Sequence, residues 1–349
     1  VALGAVLVLS LTTTVTNWDN TMLSESLALS FTALLAARLL AFARVPTVAH
    51  AGWVVAAATP WFFTRQNHLV LGILVVVAAG TALAVAARRR LPTVRPLAVL
   101  AGGLAAVAVL ATASYRQNTE VVHFNVAMVI GNRVLLNQDA AEWFFDHGMP
   151  TLPAGIQVGV PTNPEPLLAD RRFGAWVREE GTGTYLRFLA VHPWVTLTAP
   201  LDDFVSERPS FADPPHPDES MLATRESYAA ARDVLPEPLG NLLYHPGQTG
   251  TVLALLLLTG VLTAFRWADG GPDPRWIVPL LLIGLQWPAL TVTWHASAAE
   301  LGRLALTSSI ALRIGLIVQL ALLADVWLAD RFSGGSGSLG DPDPPENGP

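Results

Sequence analysis

The sequence predicts an all-α polytopic membrane protein, with about seven complete transmembrane helices plus one partial helix and an α+β extracytoplasmic domain inserted between helices. Three observations carry this reading. Of the 349 residues, 52% are hydrophobic and only 14% charged, whereas ordinary soluble domains carry about 25% charged residues. The apolar residues gather into stretches of bilayer-spanning length. Between two of these stretches lies a long segment, 116–247, with none.

The apolar stretches occupy 1–11, 22–42, 48–63, 68–87, 96–115, 250–267, 275–294 and 304–329. The first is too short to cross a bilayer and reads as the end of a helix whose start precedes Val1. The chain also opens on Val rather than Met, so the expectation is an N-terminally truncated protein or a fragment of one. A cleaved signal peptide fits poorly, because the opening lacks a basic n-region and an A-x-A-like site. Orientation follows from arginine placement. Arg88, Arg89, Arg90 and Arg95 mark one connection as cytoplasmic, and alternation then brings Arg38, Arg44, Arg266, Arg275 and Arg331 to the same side.

The alternation places 116–247 outside the cytoplasm. This segment holds 17 acidic residues against nine arginines. Within it, 120–136 alternates enough to read as one or two strands. The spans 140–147, 173–179 and 183–200 read as helices, 204–217 as Pro-rich irregular chain, and 220–235 as helical. The domain division is therefore 1–115 and 248–331 for the transmembrane helices, 116–247 for the insert, and 332–349 for a tail whose Gly, Ser, Pro and Asp predict disorder.

Composition excludes several chemistries. No cysteine is present, which removes disulfides, zinc-thiolate sites and thiol nucleophiles. All 21 basic residues are arginine, which removes Schiff-base and P-loop lysines. The sequence has no GxSxG, GxxxxGK[ST], HExxH or dinucleotide fingerprint. No nucleic-acid partner is expected.

Four groups of polar residues at the outer boundary are candidates for chemistry. Asp19 and Glu25 flank the start of the second apolar stretch. Glu25 there is either a helix-start carboxylate favoured by the dipole or an acid facing an active site. Two carboxylates with neighbouring asparagines could also hold a divalent cation, with no cofactor otherwise indicated. Arg65 and His68 sit at the next outer turn. Arg65 reads as a snorkelling anchor or a phosphate contact, and His68 as a helix cap or proton carrier. His295, Glu300 and Arg303 cluster where another span ends, and Glu300 and Arg303 are spaced to pair on a helix face. Arg313, deeper in the last span, should face protein or a polar cavity rather than lipid. The fourth group is Asn132-Arg133 with Trp143, Phe144, Asp146, His147, Trp176 and the 185–193 run, which reads as a packed core or as a sugar-contacting surface.

These residues resemble a family. Leu23-Ser24-Glu25-Ser26-Leu27 is similar to an L-[ST]-E-S-L element. Arg65-Gln66-Asn67 resembles an R-D-[ST]-[HN] turn, with Gln66 in place of Asp. Asn132-Arg133, Trp143-Phe144 and Gly148-Met149-Pro150 look like an N-x-R … [YW]-F … G-M-P run, with Asn and Arg adjacent here. Glu300-Leu301-Gly302-Arg303 is similar to an E-x-x-R-[H] element, with Leu304 in place of the His. Together they resemble the multi-spanning glycosyltransferases of the C-type fold, of the actinobacterial type, which use polyprenyl-phosphate-linked sugars outside the cell membrane. The resemblance implies inverting transfer of a sugar from a lipid-linked donor to a cell-envelope acceptor. It makes Glu25 and Asp19 the catalytic candidates and Arg65, His68, His295, Glu300 and Arg303 the substrate-binding ones. The family's main catalytic acid lies in the first outer loop, which the resemblance places before Val1.

Two rival readings stay open. The helices could merely anchor an insert that binds a cell-envelope partner. A transporter would need repeated halves with broken helices, and no internal symmetry is visible.

Overall fold

A computed structural model describes residues 24–64, 66–115, 119–205, 249–270, 273–296, 298 and 301–333. Their regular structure is helical. The first four helices are α1 (Ser24–Arg44), α2 (Val48–Thr64), α3 (Gln66–Arg88) and α4 (Val94–Tyr115). The insert follows with α5 (Thr119–Val129), α6 (Gln138–Asp146), α7 (Pro164–Ala169), α8 (Arg171–Trp176), α9 (Thr182–Val191) and α10 (Pro193–Val205). The chain resumes with α11 (Thr249–Gly270), α12 (Ile277–Gly284), α13 (Gln286–Ala296) and α14 (Leu301–Ser333).

Five segments are long and apolar enough to cross a membrane: Leu27–Arg44, His68–Arg88, Val94–Tyr115, Pro274–Ala296 and Ile310–Leu328. Their outward faces carry large apolar side chains such as Val77, Val109 and Leu110, as lipid contact requires. The predicted stretch at 48–63 forms α2, whose 17 residues lie at the short end for a span. The stretch at 250–267 lies within α11, where Leu255–Phe265 forms an apolar helical run. The short stretch 1–11 lies outside the described residues.

The predicted span at 275–294 is helical but broken. Pro288 has no N–H to give the Gly284 carbonyl, so the helix divides at Leu285. Gln286 turns back there, its Nε2 donating to the Leu282 carbonyl at 2.6 Å. At 33 residues, α14 is about 50 Å long and exceeds the hydrocarbon thickness. It takes in Phe332 and Ser333 of the predicted disordered tail, the rest of which is outside the described residues.

Tight packing orders the helices. α2 packs against both α1 and α4, and Val54, Ala57, Trp61 and Phe62 join Leu104, Val107 and Ala111 in one core. Polar staples fix the registers. Trp61 Nε1 donates to Thr32 Oγ1 at 2.9 Å, and the Tyr115 hydroxyl donates to the Phe62 carbonyl at 2.9 Å. Between α11 and α14, the Thr259 hydroxyl donates to Gln319 Oε1 and Gln319 Nε2 donates to Thr263 Oγ1, both at 3.0 Å. Arg313 is buried, so it faces protein rather than lipid, as its place in the sequence predicted.

Helix ends gather at two opposite ends of the bundle. At one end Arg44 of α1, Arg275 before α12 and Asp325 of α14 line a common cleft, with Arg275 and Asp325 paired at 3.5 Å. At the other end the insert docks.

The insert corrects the predicted α+β class. Among its described residues there is no strand. The 120–136 segment forms α5 and then a π turn, Ile130–Val134. Its β-branched residues and the extra residue of that turn blur the helical period, yet Ala127, Ile130 and Val134 are buried at spacings of three and four, as on a helix face. The predicted helix at 183–200 is really two, α9 and α10. They part at His192, where the following Pro193 forbids helical backbone. The predicted irregular and helical segments beyond residue 205 lie outside the described residues.

Candidate functional site

The Arg133 side chain starts from the π turn after α5. Such turns cluster at functional sites because the extra residue re-aims a side chain. Here Gly131 permits the turn, because a Cβ at that position would overlap the Thr162 carbonyl oxygen. Thr162 N donates to the Gly131 carbonyl at 3.2 Å, and Asn132 Nδ2 donates to the Thr162 carbonyl at 3.1 Å. The turn is thus clamped to the loop beneath it, and Arg133 projects from a fixed base. Its guanidinium lies 3.7 Å from the centre of the Trp294 ring, a cation–π contact between the insert and the last turn of α13.

Next to Trp294, His295 bonds to both α9 and α10 of the insert. His295 Nε2–H donates to the Thr196 carbonyl of α10 at 2.9 Å. That bond leaves Nδ1 as acceptor on a neutral ring, and the Tyr185 hydroxyl donates to it at 2.8 Å. Tyr185 is buried on α9. Burial pushes its phenol well above the ordinary range, while the nearby Arg133 charge pulls the other way. The hydroxyl therefore stays protonated and keeps donating.

Around this pair is an aromatic wall. Trp143 stacks on His147 with ring centres 3.8 Å apart and meets Phe188 and His192 edge-on. Asn137 starts the supporting helix, its side chain accepting from Ala140 N at 3.0 Å, and Gly148 ends it in the left-handed conformation, φ 97°. A cleft of about 460 Å³ opens between these elements, lined by Arg133, Asp139, Tyr185, His192, Trp294 and His295 among others. It carries a fixed cation, a carboxylate at the rim and aromatic faces, and it stands where a span meets the insert. This combination can hold a polar, anionic headgroup while leaving its apolar part toward the bundle.

The structure divides the predicted site residues. His295 lines the cleft, and it is joined there by Arg133, Tyr185 and His192 of the fourth group. His68 does not share it. It lines a separate cavity of about 50 Å³ among the helices, stacks on Trp61 with ring centres 4.4 Å apart, and reaches the Trp61 carbonyl through Nδ1 at 2.9 Å. There it ties the end of α2 to the start of α3. Glu25 and Arg303 stand in the first turns of α1 and α14. Asp19, Arg65 and Glu300 lie outside the described residues. Among the described residues no group of three His, Asp or Glu gathers to hold a metal ion.

Asp139 of the cleft and Thr196 beside it are polar groups that escaped the sequence reading. Asp139 resembles an ordinary helix-start acid behind its cap Asn137, and Thr196 meets His295 through its backbone carbonyl. No protein-family model, no curated protein and no solved structure matches the chain.

Proposed function

We propose that the protein is a membrane glycosyltransferase, transferring a sugar from a polyprenyl-phosphate donor to a cell-envelope acceptor outside the membrane. The observation that carries this reading is the cleft at the junction of insert and spans, with Arg133 held against Trp294 at its wall. An enzyme acting on a lipid-borne donor needs its cation where the lipid phosphate sits, at the end of the membrane-spanning segments. The arginines 44, 88, 89, 90, 95 and 275 would face the cytoplasm by the positive-inside rule, putting the insert outside. The full reading keeps seven complete spans, α2 and α11 being the two beyond the five long apolar segments.

In the reaction a carboxylate takes the proton of the acceptor hydroxyl. That oxygen attacks the anomeric carbon, and the bond to the donor phosphate breaks. The lipid phosphate leaves with additional charge, which arginine neutralises. Glu25 and Asp19 are the proposed bases by resemblance, and Asp139 is the carboxylate that the described cleft contains. Arg133 joins Arg65 and Arg303 as a proposed phosphate contact. The Tyr185–His295 pair braces the wall that carries Arg133.

The test is sugar transfer from a radiolabelled lipid-linked donor by the reconstituted protein. Glu25→Gln and Asp139→Asn are compared with the wild type. Loss of transfer in either, with donor binding intact, assigns the base. Unchanged transfer in both removes these carboxylates from the mechanism. No transfer with any donor by the wild type, together with capture of an envelope polymer by the insert, would favour the anchored binding protein.

A further inference from the structure

We propose that α9 and α10 form a membrane-surface device, in which the exposed apolar face of the pair lies in the headgroup zone of the leaflet on the insert side. This goes beyond the transfer reading and needs only the membrane-spanning segments. Trp194 is 76% exposed, Leu186 60%, Val191 55% and Leu197 51%. Such large apolar side chains gathered on consecutive turns of a short helix pair are unusual on a surface that meets only water.

The position of α10 says what covers them. Its Thr196 carbonyl accepts from His295, the penultimate residue of the Pro274–Ala296 segment. Its Ala199 packs against the cluster of Leu290 and Trp294 of the same segment. So α10 lies alongside the last turns of a span rather than above them. Trp194 and Leu197 stand within about 3 Å of Thr196 along the helix axis. The medium that surrounds the end of the span therefore surrounds them too, and that medium is lipid. The residues suit the place: tryptophan favours the headgroup boundary, aliphatic side chains reach below it, and the exposed Arg187 can meet phosphates. Pro193 begins α10 at its first turn, so the break at His192 sets the angle at which the helix lies.

One consequence links this surface to the cleft. Val195 belongs to the exposed face and also lines the cleft. The cleft therefore borders the same surface that the pair presents.

The absence of cysteine makes the test direct. Trp194→Cys, Leu197→Cys and Leu186→Cys, each labelled with a nitroxide, are placed in lipid nanodiscs beside Glu165→Cys as the water-facing reference. The side chains at 186, 194 and 197 are mostly exposed, so these changes leave the packing intact. The expected result is collision with oxygen exceeding collision with a water-soluble nickel chelate at 186, 194 and 197, and the reverse at 165. Nickel accessibility at 194 and 197 equal to that at 165 would overturn the proposal. Exclusion of both relaxers with dipolar broadening between labels would also overturn it, since a second copy of the chain would then be the occupant. Neither outcome depends on donor, acceptor or transfer.

Discussion

The Arg133 guanidinium sits 3.7 Å from the centre of the Trp294 ring, so a charge from the insert is seated on the final turn of a membrane-spanning segment. An indole face holds a guanidinium with about 0.5–2 kcal/mol, more where water is excluded. Trp294→Leu should leave the charge present but unguided. Donor affinity should fall about tenfold, as measured by equilibrium binding of the lipid-linked sugar. Arg133→Lys should also bind the donor more weakly than the wild type, because an ammonium keeps the charge but lacks the planar fork.

Tyr185→Phe removes the hydroxyl that donates to His295 Nδ1. An acceptor left dry in a buried place costs about 1–3 kcal/mol, so thermal unfolding in detergent should shift downward. The pH dependence has a definite sign. The phenol is raised by burial, against the opposing pull of Arg133, so the folded chain holds this proton more tightly than the unfolded chain. Its contribution to stability is complete below about pH 10, the ordinary tyrosine value, and is lost as pH rises toward the raised one. Above pH 10, stability should fall less steeply in Tyr185→Phe than in the wild type. Parallel alkaline profiles would refute the raised phenol.

Gly131→Ala should be more damaging than its size suggests. The added methyl meets the Thr162 backbone, which cannot give way like a side chain. A loss of about 1–3 kcal/mol is expected from overpacking, together with reduced donor affinity as Arg133 is re-aimed. Gly183→Ala meets open space and serves as the control.

Gln319→Leu breaks both bonds that join α11 to α14. Bonds of this kind in membranes are worth about 0.6–2 kcal/mol. Unfolding by denaturant in mixed micelles should show a loss near 1 kcal/mol. An unchanged midpoint would mean that the threonines find other partners.

Much of the bundle was legible because a span must be apolar along its whole length, a condition visible in any single sequence. Of the arginines that the sequence assigned to one side, Arg44 and Arg275 share one end of the bundle. The insert was misread where two periods compete. The β-branched run of α5 mimics a strand, and the π turn at Gly131 shifts the buried face by one residue. The site was legible in pieces. His295 and Arg133 were each visible as polar residues at a boundary, but they are more than 160 positions apart. The docking of the insert on α13 brings them together, through the Arg133–Trp294 contact, the Tyr185 hydroxyl and the Thr196 carbonyl, and no local pattern announces such long-range contacts.

The most direct measurement is saturation binding of a radiolabelled polyprenyl-phosphate sugar to the protein in nanodiscs, wild type against Arg133→Gln. The expected result is saturable binding by the wild type and at least a tenfold weaker Kd for the variant, with the folded fraction equal by thermal unfolding. Equal affinity for the two proteins, or no saturable binding by the wild type, would contradict a lipid-phosphate site built on Arg133 and Trp294.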